Sequence, residues 1–576
     1  MQLRTTFPSR EALRRLPFGW ADLAVILGTL TIVALVARIG AEAAGPFAPP
    51  AATPTVSLDP AALPEYAARS TLRMFVALGC SVVFTLVYGT IAAHSRRAER
   101  VLVPLLDVLQ SVPVLGFLSV TITGFIALFP GSLLGLEAAS VFAIFTSQVW
   151  NMTFSFYQSL RTIPTDLLEA ARLYRLSRWE RWTRLEVPAA MIGLVWNAMM
   201  SFGGGWFFVA ASEAISVLNR SYTLPGIGSY VAAAVAERDL HALGAAILTM
   251  AIVILLVDQL FWRPLVAWAD RFRLELSTAE IVPQSWLLDV LQRAKLPRQV
   301  GRLLPSGAID RGLARLTRVR DGRQDRSPSR GLDRAYNAAL LLALGVLLAL
   351  GARFVLSEVT PAEVGRAGLL GLATFGRTIA LLIAATLVWT PVGVAIGFNP
   401  RLARIAQPVV QLLASFPANF LFPFATVAFI WLGVTLDWGG ILLMSLGAQW
   451  YILFNVIAGA MSIPTDLREM ATSLGLTRWA RWRTLIIPGI FSAWVTGGIT
   501  AMGGAWNASI VSEIVRWGPT TLRATGLGAY IAEVTAAGDW PRIALGVGMM
   551  SLYVVTLNRL VWRRLYELAE TRYRLA

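Results

Sequence analysis

Apolar residues in this chain arrive in blocks about as long as a bilayer is thick, among them Ala21–Ile39, Thr71–Ala93, Ala335–Leu350 and Phe375–Phe398. A helix needs about 20 apolar residues to cross the hydrocarbon core. Inside that core every backbone N–H and C=O must find a partner within the protein. The blocks therefore read as transmembrane helices rather than core helices. Of 576 residues, 56% are hydrophobic and 15% charged, where soluble domains carry about 25% charged residues. This balance excludes a disordered chain, a disulfide-stapled secreted scaffold and a cytosolic enzyme. Cys80 is the only cysteine, so neither an intrachain disulfide nor a cysteine metal cluster can form. His94 and His241 are too few and too far apart for a metal or proton-relay site, and read as loop residues.

Hydropathy and turn signals predict an all-α membrane protein of about twelve spans, near 20–39, 70–93, 104–129, 136–160, 189–214, 241–262, 335–356, 371–397, 408–432, 438–460, 489–514 and 541–562. The net charge is +16. With Met1 in the cytoplasm, the inside segments hold 38 of the 50 basic residues and the outside segments five: Arg220, Arg238, Arg366, Arg516 and Arg523. Lys and Arg collect on the cytoplasmic side of membrane proteins. Both termini are therefore expected in the cytoplasm of a multi-pass protein, and the positive charge reads as topology rather than nucleic-acid affinity. Arg4, Arg10, Arg14 and Arg15 precede the first span as in a signal peptide, and Ala41-Glu42-Ala43 resembles a cleavage site. The apolar stretch is longer than a signal core, so it reads as an uncleaved anchor. The Ala/Pro-rich segment Gly45–Ala68 reads as an exported loop without much structure.

The chain is also a duplication. Residues 163–188 (IPTDLLEAARLYRLSRWERWTRLEVP) match 463–488 (IPTDLREMATSLGLTRWARWRTLIIP) at 14 of 26 positions, 300 residues apart. The register continues through Trp206/Trp506, Glu213/Glu513, Gly226/Gly526, Gly228/Gly528 and Tyr230/Tyr530. Upstream the offset is 304, pairing Arg73/Arg377, Pro104/Pro408 and Pro113/Pro417. Six spans per half is an even number, so the halves run parallel, related by an axis along the membrane normal. The boundaries follow: 1–68 with the first span and exported loop, a first core unit at 69–275, a linker at 276–334, a span and loop at 335–368, and a second unit at 369–576. The linker has 15 basic and 8 acidic residues between 263 and 334 and a disordered composition at its centre. Ser285–Ala294 within it could form a short amphipathic helix on the membrane surface, but a solvated linker is the preferred reading.

A long matched loop between spans four and five of each half suggests a binding surface. Its chemistry predicts two short helices. Pro164 breaks the preceding span; Asp166 and Glu169, repeated as Asp466 and Glu469, are spaced for a capping-box-like start. Ser177 and Thr477 are placed to cap the second helix, Ser177 with Glu180 three residues on. Pro188 and Pro488 restart the membrane segment. Trp179, Trp182, Trp479 and Trp482 sit among arginines, which suits an interface.

The pattern Glu-Ala-Ala, Gly four residues on, then Pro resembles the cytoplasmic coupling loop of ABC importer permeases. One copy gives Glu169-Ala170-Ala171, Arg175 in the glycine position, Arg178 and Pro188; the other gives Glu469-Met470-Ala471, Gly475, Arg478 and Pro488. Each departs from the pattern once. Arg73/Arg377, the paired prolines, GGGWFFVAASE (203–213), GGAWNASIVSE (503–513) and the Gly-x-Gly after each resemble the nitrate, sulfonate/taurine and bicarbonate branch. The resemblance implies two fused units of the type I importer permease fold forming a pseudodimer in the bacterial inner membrane. It implies docking of each loop on an ABC ATPase, hence two ATPase copies, and a periplasmic binding protein delivering a small anion. Lys295 is the only lysine and follows Ala294, so no Gly-Lys-Ser/Thr phosphate loop exists here. No cofactor is expected on this chain; ATP and Mg belong to the partner.

Candidates for the path are Trp206, Trp506 and Asn507 with their glycine-rich flanks, Arg73 and Arg377 within spans, and Glu213 and Glu513 at span ends. For the arginines, attraction of an anion competes with pairing to the glutamates, and pairing is the preferred reading because an unpaired charge in a bilayer costs a few kcal/mol. Asp107 and Asp258 read as interfacial residues. A secondary carrier of the six-plus-six type would share the hydropathy, but would carry a Gly/Asp/Arg-rich loop where this chain has HSRRAER (94–100). A membrane enzyme would need a clustered nucleophile, base or metal set, and the sequence offers none.

Overall fold

A computed structural model describes residues 20–43, 56–111, 114–217, 220–272, 285–294 and 330–573. Contacts divide the chain into two units: Met1–Ala44, Ser159–Trp196 and Leu256–Gln324 in one; Gly45–Gln158, Asn197–Leu255 and Asp325–Ala576 in the other. Among the described residues, nine helical segments are long and apolar enough to cross a membrane: Asp22–Ala41, Pro60–His94, Arg178–Glu213, Leu240–Phe272, Arg334–Leu356, Pro361–Gly397, Leu436–Met461, Arg478–Ser512 and Trp540–Ala569.

Three expected spans fall outside these nine. The stretch 408–432 is not one helix: Pro400–Ser415 ends, Phe416 and Pro417 are extended, a single turn follows at Ala418–Phe420, and Phe422–Leu432 begins again. The residue before a proline is driven out of helical geometry, and here Phe416 is that residue. The first-half equivalent is likewise two helices, Arg96–Ser111 and Val114–Leu128; Pro113 lies outside the described residues. The third, 136–160, is helical throughout as part of Leu134–Arg161. It carries buried Ser140, Thr146, Gln148 and Thr153, which make it polar for its length.

Among the described residues, two short hairpins interrupt the otherwise helical chain. Strands Ala214–Val217 (β1) and Arg220–Thr223 (β2) form an antiparallel hairpin, and Ile514–Trp517 (β3) with Thr520–Arg523 (β4) repeat it 300 residues on. Pairing runs from Ala214↔Thr223 to Val217↔Arg220 and from Ile514↔Arg523 to Trp517↔Thr520. β-Branched residues flank the tight turn, and Gly518 takes φ +55° there, the left-handed geometry that two-residue hairpin turns require. The segment expected to be loose up to Ala68 is helical from Leu63, because Asp59 accepts from the Ala61 amide at 2.9 Å and starts the turn that leads in.

In the first unit, the helix Trp20–Ala43, the loop helices and the segment after the span Leu240–Val257 are described. That span passes through a wide turn, Asp258–Trp262, where Arg263 pairs with Asp258 at 3.0 Å. The short linker helix is present as Trp286–Arg293, capped by Ser285, whose Oγ accepts from the Leu288 amide at 3.3 Å.

In the second unit, helix Leu436–Met461 packs between Pro361–Gly397 and Ile487–Ser512, with Met444, Ala448, Ile452 and Val456 facing Leu381, Val394, Ala501 and Ala505. Small residues let these backbones approach, the usual basis of helix association in lipid. A second core joins the sequence halves: Leu115, Leu118 and Ile122 of Val114–Leu128 cluster with Met502, Trp506, Ile510, Leu527, Ile531 and Met550. Residues of both halves thus share this core.

Candidate functional site

The span Leu63–His94 carries Arg73 into a fully enclosed place, 3% exposed. Its guanidinium forks onto Glu137, with Nε to Oε2 and Nη2 to Oε1 both 2.6 Å. Its Nη1 donates to Glu213 Oε1 at 2.7 Å and to the Pro225 carbonyl at 2.9 Å. Glu213, with no exposed surface, also accepts from Ser70 Oγ at 2.6 Å and from the Gly228 amide at 2.7 Å. Ser70 Oγ in turn accepts from the Ile227 amide at 3.0 Å. One arginine thus ties together Leu63–His94, the start of Leu134–Arg161, the end of Val187–Glu213 and the start of the short helix Ile227–Glu237. A Cβ on Gly226 would overlap the Glu213 carboxylate, and one on Gly228 would stand 2.5 Å from the Ala210 carbonyl oxygen. This close approach accounts for the Gly-x-Gly.

The second half repeats the assembly. Arg377 Nη1 donates to Glu513 Oε1 at 2.7 Å, Nη2 to Asp437 Oδ1 at 2.6 Å and to the Thr525 carbonyl at 2.8 Å. Thr374 Oγ1 donates to Glu513 at 2.7 Å and accepts from the Leu527 amide at 2.9 Å. The clusters differ most at the outer acid: the Glu137 side chain is 17% exposed, that of Asp437 47%. Sequence reasoning found Arg73, Glu213, Arg377 and Glu513 but missed Ser70/Thr374 and Glu137/Asp437. The signal was available, because these pairs sit at the same offsets of 304 and 300 as the residues they bind.

Trp206 and Trp506 are both buried; Trp206 meets Phe202 edge-on at 5.7 Å, and Trp506 stacks near Phe375 and Tyr553 at 6.4 and 6.3 Å. Asn507 is half-buried and donates to the Gly503 carbonyl at 3.2 Å.

The matched loops fold as two short helices each, Thr165–Leu173 with Arg178–Arg181 and Thr465–Ser473 with Arg478–Arg481. Ser177 and Glu180 form a complete capping box, Ser177 Oγ accepting from the Glu180 amide at 3.2 Å and Glu180 Oε2 from the Ser177 amide at 2.9 Å. Thr477 caps Ala480 at 3.3 Å. The start of the first helix departs from expectation. Pro164 and Pro464 occupy the cap positions without a side-chain bond, which leaves Asp166 and Asp466 in the first turn and Glu169 and Glu469 too far along to reach back. Nor do Pro188 and Pro488 restart the membrane helices: wide turns at Trp182–Glu186 and Trp482–Ile486 carry the second loop helix straight into each span. A widened turn accommodates the missing proline N–H and its ring.

Ala171 and Ala471 are buried, while Asp166, Glu169, Arg178, Asp466, Glu469, Gly475 and Arg478 are exposed; Ala170, Pro188 and Pro488 are intermediate. Leu173 and Tyr174 stand out at 83% and 81% exposure. Both helices end in a left-handed residue, Gly475 at φ +63° and Arg175 at φ +51°. The next amides reach back to Ala471 and Ala171 at 3.2 and 3.1 Å, closing the helix ends. The second loop has an anchor of its own. Arg468 donates to the carbonyls of Ala460 at 2.9 Å and Ile463 at 2.8 Å, and lies 4.5 Å over the Phe398 ring. Burial there, then the Arg481 charge, lowers its pKa from the ordinary guanidinium value. Leu168 holds the equivalent place in the first loop.

A family model described as the binding-protein-dependent transport system inner membrane component matches residues 85–261 and 363–574, one stretch per half. The chain belongs to this family. Both loops and both glutamates 213 and 513 lie inside its two family units, whereas Arg73 precedes the first. The chain is similar to a taurine transport system permease protein of Escherichia coli (strain K12), 28% identical over 143 residues, which are 25% of this chain and 50% of that protein. It is similar to a nitrate import permease protein of Leptolyngbya laminosa, 24% identical over 189 residues, 33% of this chain and 64% of the relative. A bicarbonate transport system permease protein of Synechococcus elongatus is 24% identical over 203 residues, 35% and 66% respectively. The matches thus span between half and two-thirds of these relatives' lengths.

Two predictions follow from the geometry of the family units. Removing one partner of a buried ion pair costs about 3–5 kcal/mol. Arg73→Leu strands two enclosed carboxylates and Arg377→Leu only one, so Arg73→Leu should lower the thermal unfolding midpoint of the purified chain more than Arg377→Leu. In the loops, a non-glycine residue in left-handed geometry costs about 1 kcal/mol. Arg175→Gly should therefore slow hydrogen exchange of the Leu176 amide about fivefold, and Gly475→Ala should accelerate that of Leu476 to a similar degree.

Proposed function

We propose that this chain is the membrane-spanning permease of an ATP-binding-cassette importer for a small anion, with both halves of the pseudodimer in one polypeptide. The observation that carries the reading is the pair of family units, each holding the same exposed loop 300 residues apart. Twelve crossings follow if the divided stretches 96–128 and 400–432 and the polar helix 134–161 traverse the bilayer with the nine apolar segments. The charge distribution supports cytoplasmic termini and cytoplasmic loops, in an inner membrane. Each loop then docks one copy of an ABC ATPase, which supplies ATP and Mg, and a binding protein delivers cargo from the other side. The names of the relatives suggest nitrate, taurine or another sulfonate, or bicarbonate.

The mechanism uses the helices as rods. Ile487–Ser512 has its loop at one end and Glu513 at the other; its 26 residues make it about 39 Å long at 1.5 Å per residue. A push on the loop reaches the hairpin and the short helix Leu527–Ala537, because the Arg377–Glu513 cluster fastens them to the rod. Arg73, Glu213, Arg377 and Glu513 are saturated by one another and by backbone groups, so they serve the path as fasteners and not as anion ligands. Trp206 and Trp506 hold the rods in the core. Asn507, beside Trp506, is half-buried and bonds the Gly503 carbonyl of its own helix.

Glu169 and Glu469 are exposed, so replacing them by alanine leaves folding intact. The double variant should lose ATP-driven uptake by about tenfold or more in proteoliposomes, the scale expected for truncating charged partners in an interface, with co-purification of the ATPase reduced. Undiminished ATPase association and uptake in that variant would contradict the coupling role.

A further inference from the structure

The glycines that open the motif GGGWFF do specific work. A Cβ on Gly203 would stand 2.5 Å from Ser415 Oγ and 3.2 Å from Ser415 Cβ; one on Gly204 would stand 3.3 Å from Tyr451 Oη. On the other side of the same ring, Gly504 has Tyr451 Cε2 at 3.8 Å from where its Cβ would be. Tyr451 therefore sits between the glycine-rich helices of the two halves. Beside it lies a cavity of about 10 Å³ lined by Met199, Met200, Gln411, Ala414, Ser415, Tyr451 and Phe454, on the scale of a single water.

Three hydrogen-bonding side chains converge on this cavity, all from the second half. Ser415 Oγ and Tyr451 Oη have no hydrogen-bond partner among the described residues, and the Gln411 amide meets only the Met199 sulfur, at 3.2 Å. Ser415 and Tyr451 are half-buried, with hydroxyls whose hydrogen bonds something polar in the cavity can complete. The first half contributes an apolar wall of two methionines, unbranched side chains that adapt to what they meet.

We propose that this cavity is a binding site for a small oxyanion on the translocation path, held by the neutral donors of Tyr451, Ser415 and Gln411. The proposal rests on the importer reading and gives it a site. Neutral donors suit a stopping point that must also release: they replace part of the anion's hydration without the grip of a guanidinium. No acidic residue lines the cavity. The equivalent sequence positions in the first half hold Asp107 for Gln411, Ser111 for Ser415 and Asn151 for Tyr451. An acid in that set disfavours an anion, so the site is single and belongs to the second half. To admit an anion, Tyr451 and the methionines move aside.

The direct test is thermal unfolding of the purified full chain in nitrate, bicarbonate or taurine against chloride at equal ionic strength. The wild type should be stabilised by at least one of the three, and the shift should vanish in Tyr451→Phe combined with Ser415→Ala, which removes only two hydroxyls. No oxyanion-specific shift, or one that survives in the double variant, would overturn the site; the importer reading would be untouched, because this arm needs no partner. In uptake assays with the ATPase and binding protein, Tyr451→Phe should raise KM about tenfold, the loss of one hydrogen bond to a charged ligand, with ATPase association unchanged. An unaltered KM in the double variant would likewise overturn it. Absence of ATP-driven uptake by the wild type would instead refute the importer reading.

Discussion

A guanidinium inside a membrane protein must bring its own surroundings, because lipid offers it neither water nor counter-ion. Arg73 and Arg377 meet that demand in the same way: two carboxylates and a backbone carbonyl converge on each, and a hydroxyl braces the buried glutamate. The consequence is architectural. Helices that association in lipid drives together only weakly are tied at one end by charge-assisted bonds, which are among the strongest available to a protein. The hairpins β1–β2 and β3–β4 and the short helices after them would otherwise be irregular chain at the rim. The short helices are held because their first amides, and the Pro225 and Thr525 carbonyls just after the hairpins, complete these clusters.

Duplication supplied two of everything, and divergence made the copies unequal. The second loop is anchored by Arg468 over Phe398, where the first has Leu168. The first loop keeps a left-handed Arg175 where the second uses glycine. Glu363 and Arg542 add an ion pair at 2.8 Å to the second half, where Asp59 and Ala242 stand in the first. Polar side chains around Tyr451 likewise come from one half. A symmetric frame with asymmetric fittings suits a single path between the halves.

Much of this was legible in the sequence. The repeat, its two registers, the long apolar helices and the Ser177–Glu180 box all rest on local patterns, which a chain displays directly. The helix Trp286–Arg293 is only the alternative there, since a solvated linker is the preferred reading of that stretch. The missing parts rest on context. Splitting of 408–432 depended on Pro417 overriding a continuous apolar run, and apolar content alone reads through such a break. The hairpins are four residues per strand, too short for alternation to register. Asp166 looked like a cap because its spacing to Glu169 fits one, but the Pro164 carbonyl already starts the helix. Glu137 and Asp437 drew no reading; only their distance from each other, equal to the repeat, marks them as partners of Arg73 and Arg377.

The central claim is that two permease units in one chain present two docking loops to a separate ATPase. Native mass spectrometry of the complex purified through this chain measures that stoichiometry directly. The account predicts one copy of this chain with two ATPase subunits. A complex holding two copies of this chain per ATPase pair, or a chain that carries transport with no ATPase bound, would contradict it.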